Sequence, residues 1–179
     1  MEDKEFFNNH FINRTISFAS PDSQWTLIKK LREFNDQRDP EMFLSSPHKP
    51  GGAYGTFLCS NPANPTEQNI MRIIMQVPYA GSEIAIHAER ARQARDRLPT
   101  PGQEMLNAYS TLTKLGSDFT PRLVNVKWAE QTDRDIVPGG SIVYLLLEKL
   151  PGRQLGLWFW DLNREERDRV RGAFKVAWT

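Results

Sequence analysis

Six consecutive strand-formers, Ile142-Val143-Tyr144-Leu145-Leu146-Leu147, constrain this chain more than any other stretch. A run without a polar residue suits a strand covered on both faces, so it predicts a central place in a sheet. A second run, Ile70 to Val77, is too apolar for an edge and is closed by Pro78 and Gly81. The chain must therefore build a sheet with interior strands and supply the helices that cover it.

Helical signals lie between and around these runs. Trp25, Ile28, Leu31 and Phe34 recur at three-residue steps after Ser20-Pro21, with Lys29, Lys30, Arg32 and Glu33 between them. That spacing predicts a helix capped by Ser20, docked by its aromatic stripe on the back of the sheet. Phe11 to Ala19 before it has the content of a strand but poor alternation. Ser82 to Leu98 predicts a helix carrying Ala88, Ala91 and Ala94 among Arg90, Arg92, Arg95 and Arg97. No aromatic is interleaved with these arginines, so a solvated face is preferred to a nucleic-acid surface. Thr100-Pro101-Gly102-Gln103 reads as a capping box. It opens a helix with Met105, Ala108, Leu112 and Leu115 on its apolar face and Gly116 as its stop. Arg122 to Trp128 predicts a further strand. Asn163-Arg164-Glu165-Glu166 opens a last helix, lined by Val170, Phe174, Ala177 and Trp178 and still running at Thr179.

Totals exclude several classes of function. A length of 179 residues suits one domain with one substantial core, and a net charge of +1 argues against a general nucleic-acid binder. The single cysteine, Cys59, excludes an intrachain disulfide, and with three scattered histidines it argues against a zinc site. No apolar run approaches the roughly 20 residues of a membrane span. Met1-Glu2-Asp3-Lys4-Glu5 is acidic where a secretory signal would be basic. The expectation is a cytoplasmic protein with neither membrane nor nucleic acid as partner.

The stretch that points to chemistry is Pro50 to Arg72. Gly51-Gly52-Ala53-Tyr54-Gly55-Thr56-Phe57 predicts a glycine-rich hairpin with Tyr54 at its tip and Thr56 to Cys59 as its return strand. Ser60-Asn61-Pro62-Ala63-Asn64-Pro65 reads as turn, and Arg72 arrives from the strand beyond. Glycines at 52 and 55 would let backbone N–H groups approach a phosphate, with a cation beside them.

Hairpin, third strand, helix, two strands, break and helix follow one another in this chain. That order resembles the N-terminal lobe of protein kinase-like or aminoglycoside phosphotransferase-like proteins, as found in fungal members of the superfamily. Gly52-Ala53-Tyr54-Gly55-Thr56-Phe57 is similar to the second half of a kinase glycine loop. Arg72 stands where the strand-three lysine would be, Glu104 where the helical glutamate pairs with it, and Glu148 to Gly152 resembles the adenine-binding hinge. The resemblance implies an α+β fold: a roughly five-stranded antiparallel sheet with a packed helix, plus N- and C-terminal helices. It divides the chain into an N-terminal helical extension (1–45), a small lobe (46–152) and the helical start of a large lobe (153–179). It implies Gly52, Tyr54, Gly55, Arg72, Glu104, Glu148 and Leu150 as nucleotide-site residues, with ATP as the one cofactor in view.

Departures from the family weigh against catalysis. Pro50 replaces the first glycine and removes one N–H. Arginine is not interchangeable with the lysine it replaces. No His-Arg-Asp, His-Gly-Asp or Asp-Phe-Gly string occurs, so no catalytic or metal-binding residue is assigned. Bland roles compete at each position: a turn needing positive φ for the glycines, an ion pair with Glu104 for Arg72, and core packing for Trp158, Phe159 and Trp160. Val170, Phe174 and Trp178, without the cover a large lobe would give, predict self-association or a protein partner. The leading expectation is a non-catalytic small-lobe binding module. The alternative is a piece of an ATP-dependent phosphotransferase whose catalytic lobe lies elsewhere.

Overall fold

The computed structural model describes residues 4–152 and 155–178. The chain forms two compact units, one ending at Lys149 and the other beginning at Leu150. The larger is α+β, built on a single antiparallel sheet of six strands, not five. In chain order its elements are β1 (Thr15–Ala19), β2 (Asp22–Asn35), α1 (Pro40–Ser45), β3 (Gly51–Asn61), β4 (Asn64–Val77), α2 (His87–Ala91), α3 (Thr100–Lys114), β5 (Leu123–Glu130) and β6 (Ser141–Glu148). Across the sheet the order is β1-β2-β3-β4-β6-β5. The two apolar runs are thus hydrogen-bonded neighbours, Ile73 opposite Tyr144 and Met75 opposite Ile142, with β6 interior between β4 and β5.

Alternation assigns the two faces. On one, Phe57, Cys59, Met71, Ile73, Met75, Tyr144 and Leu146 join Phe7, Phe11, Ile16, Phe18, Trp25 and Leu27 in the larger core. The sheet curls around this core until the β1–β2 turn nears β5, where Asn125 Nδ2 donates to the Pro21 carbonyl at 3.1 Å. On the other face Tyr54, Ile74, Val143 and Leu145 pack beneath α3 through Leu106, beside Leu98.

The expected N-terminal helix over Trp25 to Phe34 is a strand. Register jumps between Leu27 and Lys29 and between Lys30 and Arg32 mark two bulges, which leave Ile28 and Leu31 as the extra residues. The residues read as a helical stripe share no face of this strand: Trp25 is in the larger core, Ile28 and Leu31 are the bulge residues, and Phe34 stacks on Tyr54 on the other face. The bulges also bring Lys30 and Glu33 to the face on which the N-terminal segment lies. Glu33 Oε1 accepts the N–H groups of Phe6 and Phe7, the latter at 3.1 Å, and Lys30 Nζ donates to Glu33, Glu5 and the Phe7 carbonyl. Among the described residues 4–45 there is therefore no helical extension of the expected kind; strands β1 and β2 complete the sheet.

Two further expectations change. Ser60 to Pro65 is not all turn: only Pro62-Ala63 separates β3 from β4, and Pro65 lies in β4. The helix expected over Ser82 to Leu98 shrinks to the five residues of α2. The surrounding chain is held by side chains instead. Arg90 Nη1 donates to the Asp135 and Ile136 carbonyls, and Arg95 Nε to the Pro47 carbonyl. Those arginines tie loops together more than they form a solvated face.

α3 ends as expected, with Gly116 at φ +67°. Its start does not: Pro99 is the cap residue and no side chain caps the helix. Its buried face is Gly102 and Leu106, with Met105 and Tyr109 half-buried, while Ala108 and Leu115 are exposed.

The smaller unit holds a 3-10 segment, Leu157–Asp161, and α4 (Arg164–Trp178). Its capping box is reciprocal: Asn163 Oδ1 accepts from the Glu166 N–H at 2.9 Å, and Glu166 Oε2 from the Asn163 N–H at 3.1 Å. Trp158, Phe159 and Trp160 are not buried core residues, and Trp160 is exposed. The side chain of Trp178 and the expected boundary at residue 153 lie outside the described residues.

Candidate functional site

The glycine stretch forms no hairpin. Gly52, Tyr54 and Gly55 all lie within β3, and Tyr54 is a buried mid-strand residue rather than a tip. Neither glycine has positive φ. Their need is space. A Cβ on Gly52 would sit 2.7 Å from Pro99 Cγ and from the Tyr54 hydroxyl, and one on Gly55 would sit 2.6 Å from the Phe57 ring and 2.9 Å from that of Phe7. Glycine here admits side chains from both faces into one strand.

An anion does meet the Gly52 N–H, and it is the protein's own. Asp36 Oδ1 accepts from Gly52 N at 2.6 Å and from the Tyr54 hydroxyl at 3.2 Å, while the Asp36 N–H donates to the Gly52 carbonyl at 2.9 Å. Phe34 stacks on the Tyr54 ring at 4.6 Å. Desolvation holds the Asp36 carboxyl above its ordinary range against the pull of these donors and of Arg38. Burial, with the Asp36 charge beside it, pushes the Tyr54 phenol far upward.

Arg72 rises from β4 on the face beneath α3, opposite Thr56 and Leu145. Its guanidinium donates to the Tyr109 hydroxyl at 3.0 Å, to Met105 Sδ at 3.4 Å and to Thr56 Oγ1 at 3.4 Å, and lies 5.8 Å from the Tyr109 ring centre. Every one of these partners is neutral. Among the described residues no carboxylate pairs with it. The ion pair expected with Glu104 is not formed. Glu104 is exposed, because α3 turns Gly102, Met105, Leu106 and Tyr109 toward the sheet. Arg72 is left half-buried, fixed by three neutral groups and without a counter-charge.

The remaining expected residues lie apart. Glu148 ends β6 opposite Asn69, whereas Gly52 pairs with Gln76. Seven residues of β4 separate those registers, roughly 23 Å along the strand. Leu150 belongs to the smaller unit.

The sequence reading missed Asp36, Met105 and Tyr109 as site neighbours. It also missed a buried glutamine cluster at the Gly52 end of the sheet. Gln76 Nε2 donates to the Gln93 carbonyl at 2.6 Å and Gln131 Nε2 to the Gln76 carbonyl at 2.8 Å, while Gln76 Oε1 accepts from Arg95 N and Gln131 Oε1 from Val137 N. Gln93 closes on Ser82 and Tyr79. Every glutamine is engaged, so the cluster anchors the loops and offers no ligand-facing group. Among the described residues no group of His, Cys, Asp and Glu side chains could hold a metal ion, and no helix is long and apolar enough to cross a membrane.

Comparison with protein-family models, with curated proteins and with solved structures gives no match.

Proposed function

We propose that this chain is a kinase-like small lobe that serves as a binding module rather than a catalyst, with Arg72 as its anion-recognising group. The observation that carries the reading is the guanidinium beneath α3, which is shielded, oriented by neutral groups and not neutralised. A cation in that setting gains more from an arriving phosphate or carboxylate than one already paired, because the cost of ordering it has been met in advance. What argues for binding over catalysis is local: Glu104 does not align Arg72, the Gly52 N–H is taken by Asp36, and residue 50 has no N–H to give.

Titration with ATP, with and without Mg²⁺, followed by thermal unfolding, tests this. A saturable rise in Tm is expected with wild type and is absent from R72M. R72K keeps part of it, since an ammonium supplies charge without the fork. No rise at millimolar nucleotide retires the nucleotide claim.

The smaller unit supports a second contact, with another copy or a protein partner. Phe174 on α4 is 61% exposed, and Leu157 and Val176 are also exposed, with Val170 half-exposed beside them. Light scattering over a concentration series is expected to show a rise in mass with wild type that F174S reduces.

A further inference from the structure

A cleft of about 760 Å³ opens between the N-terminal segment and the loops around Glu83, Arg90 and Arg134. We propose that it binds a small organic anion with an apolar body. This goes beyond the Arg72 reading and does not depend on it: Met75, on the cleft floor, belongs to the face of β4 opposite to Arg72.

The volume lies within the range that holds small ligands, and the mouth of a curled sheet is a common place for one. Phe6, Phe11, Met75 and Ile136 give it an apolar part among polar and charged walls. The acids of its wall are already engaged. Glu83 is held by Lys4, Gln37 and the Gly81 N–H, Glu5 by Lys30, and Asp135 by the Thr132 N–H and hydroxyl. The bases are not. Among the described residues neither Arg14 nor Arg134 has a carboxylate partner, and Arg14 lies 5.0 Å from the Phe11 ring centre. The uncommitted charge of the cleft is therefore positive.

Arg14 and Arg134 beside the apolar side chains of Phe6, Phe11, Met75 and Ile136 together fit a carboxylate, sulfonate or phosphate on an aromatic or aliphatic body.

The test uses the full chain and two probes of one shape, 8-anilinonaphthalene-1-sulfonate and the uncharged N-phenyl-1-naphthylamine, followed by fluorescence. The sulfonate is expected to bind saturably to one site, at least tenfold more tightly than its uncharged parent. R14Q/R134Q loses that preference, while R72M keeps it. Should the double variant unfold, R134Q alone, on an exposed loop, is expected to weaken sulfonate binding about threefold or more. Failure of the sulfonate to saturate, equal affinity for the two probes, or unchanged binding in R134Q and the double variant would each overturn the proposal. The last outcome would place the dye on another apolar surface, such as that of α4.

Discussion

Single residues carry most of what this chain can do chemically. Asp36 fills the anion position that the glycine pattern advertises, and it does so with one carboxylate oxygen. D36N retains an oxygen able to accept from Gly52 and Tyr54, so its stability in urea at pH 7 is expected to match wild type. D36A strands two donors and is expected to cost about 1 kcal/mol, the usual net worth of such bonds at a partly solvated site. The pH dependence has a definite sign. The folded-state pKa of Asp36 is raised above 3.8, so the folded state binds the proton more tightly than the unfolded one. The contribution of Asp36 to stability therefore falls as pH rises through the window just above that value, and urea midpoints of D36N should lack that component. None of this was legible beforehand, because a glycine run looks the same whether it needs positive φ or merely room. Arg72 was legible as a lone cation in an apolar strand. Its partners were not: one residue of helix rotation separates Glu104 from the face on which Met105 and Tyr109 meet it.

Elements were legible where one physical demand fixed them. β4 and β6 are apolar on both faces, α3 is bounded by a proline and by Gly116, and α4 by its capping box. Elements with mixed demands misled. β2 is a strand whose apolar residues at helical spacing share no face, and Gln93 uses its side chain to bind loop backbone where a helix was expected. The bulges of β2 have a purpose that tests can reach, since they aim Lys30 and Glu33 at the N-terminal segment. The Glu33 carboxylate is only 3% exposed and accepts two backbone N–H groups while pairing with Lys30. E33A leaves both donors and the ammonium unsatisfied, so a loss of about 2–3 kcal/mol is expected in chemical denaturation. E33Q keeps the acceptor and should lose less. Equal losses would mean that the contact between carboxylate and segment is not the source.

At the scale of the molecule, the sheet places two unneutralised basic features on opposite faces, one beneath α3 and one at the open cleft. Cys59 lies near the C-terminal end of β3, wholly buried, with burial pushing its thiol up to about 12. It should resist a thiol reagent such as Ellman's at pH 8 and react only with the denaturant unfolding of the sheet. Rapid reaction in buffer would mean that β3 opens on its own. On the proposed reading Arg72, and not the glycine stretch, is the group that meets an anion. The most direct measurement is a ¹H–¹⁵N spectrum of the labelled protein, including arginine Nε–H signals, recorded through a titration with tripolyphosphate. The expected result is a saturable shift of the Arg72 Nε–H and of amides around Thr56 and Tyr109, with the Gly52 amide unmoved because Asp36 holds it. A shifting Gly52 amide with a stationary Arg72 signal would contradict the claim and restore the glycine stretch as the phosphate cradle.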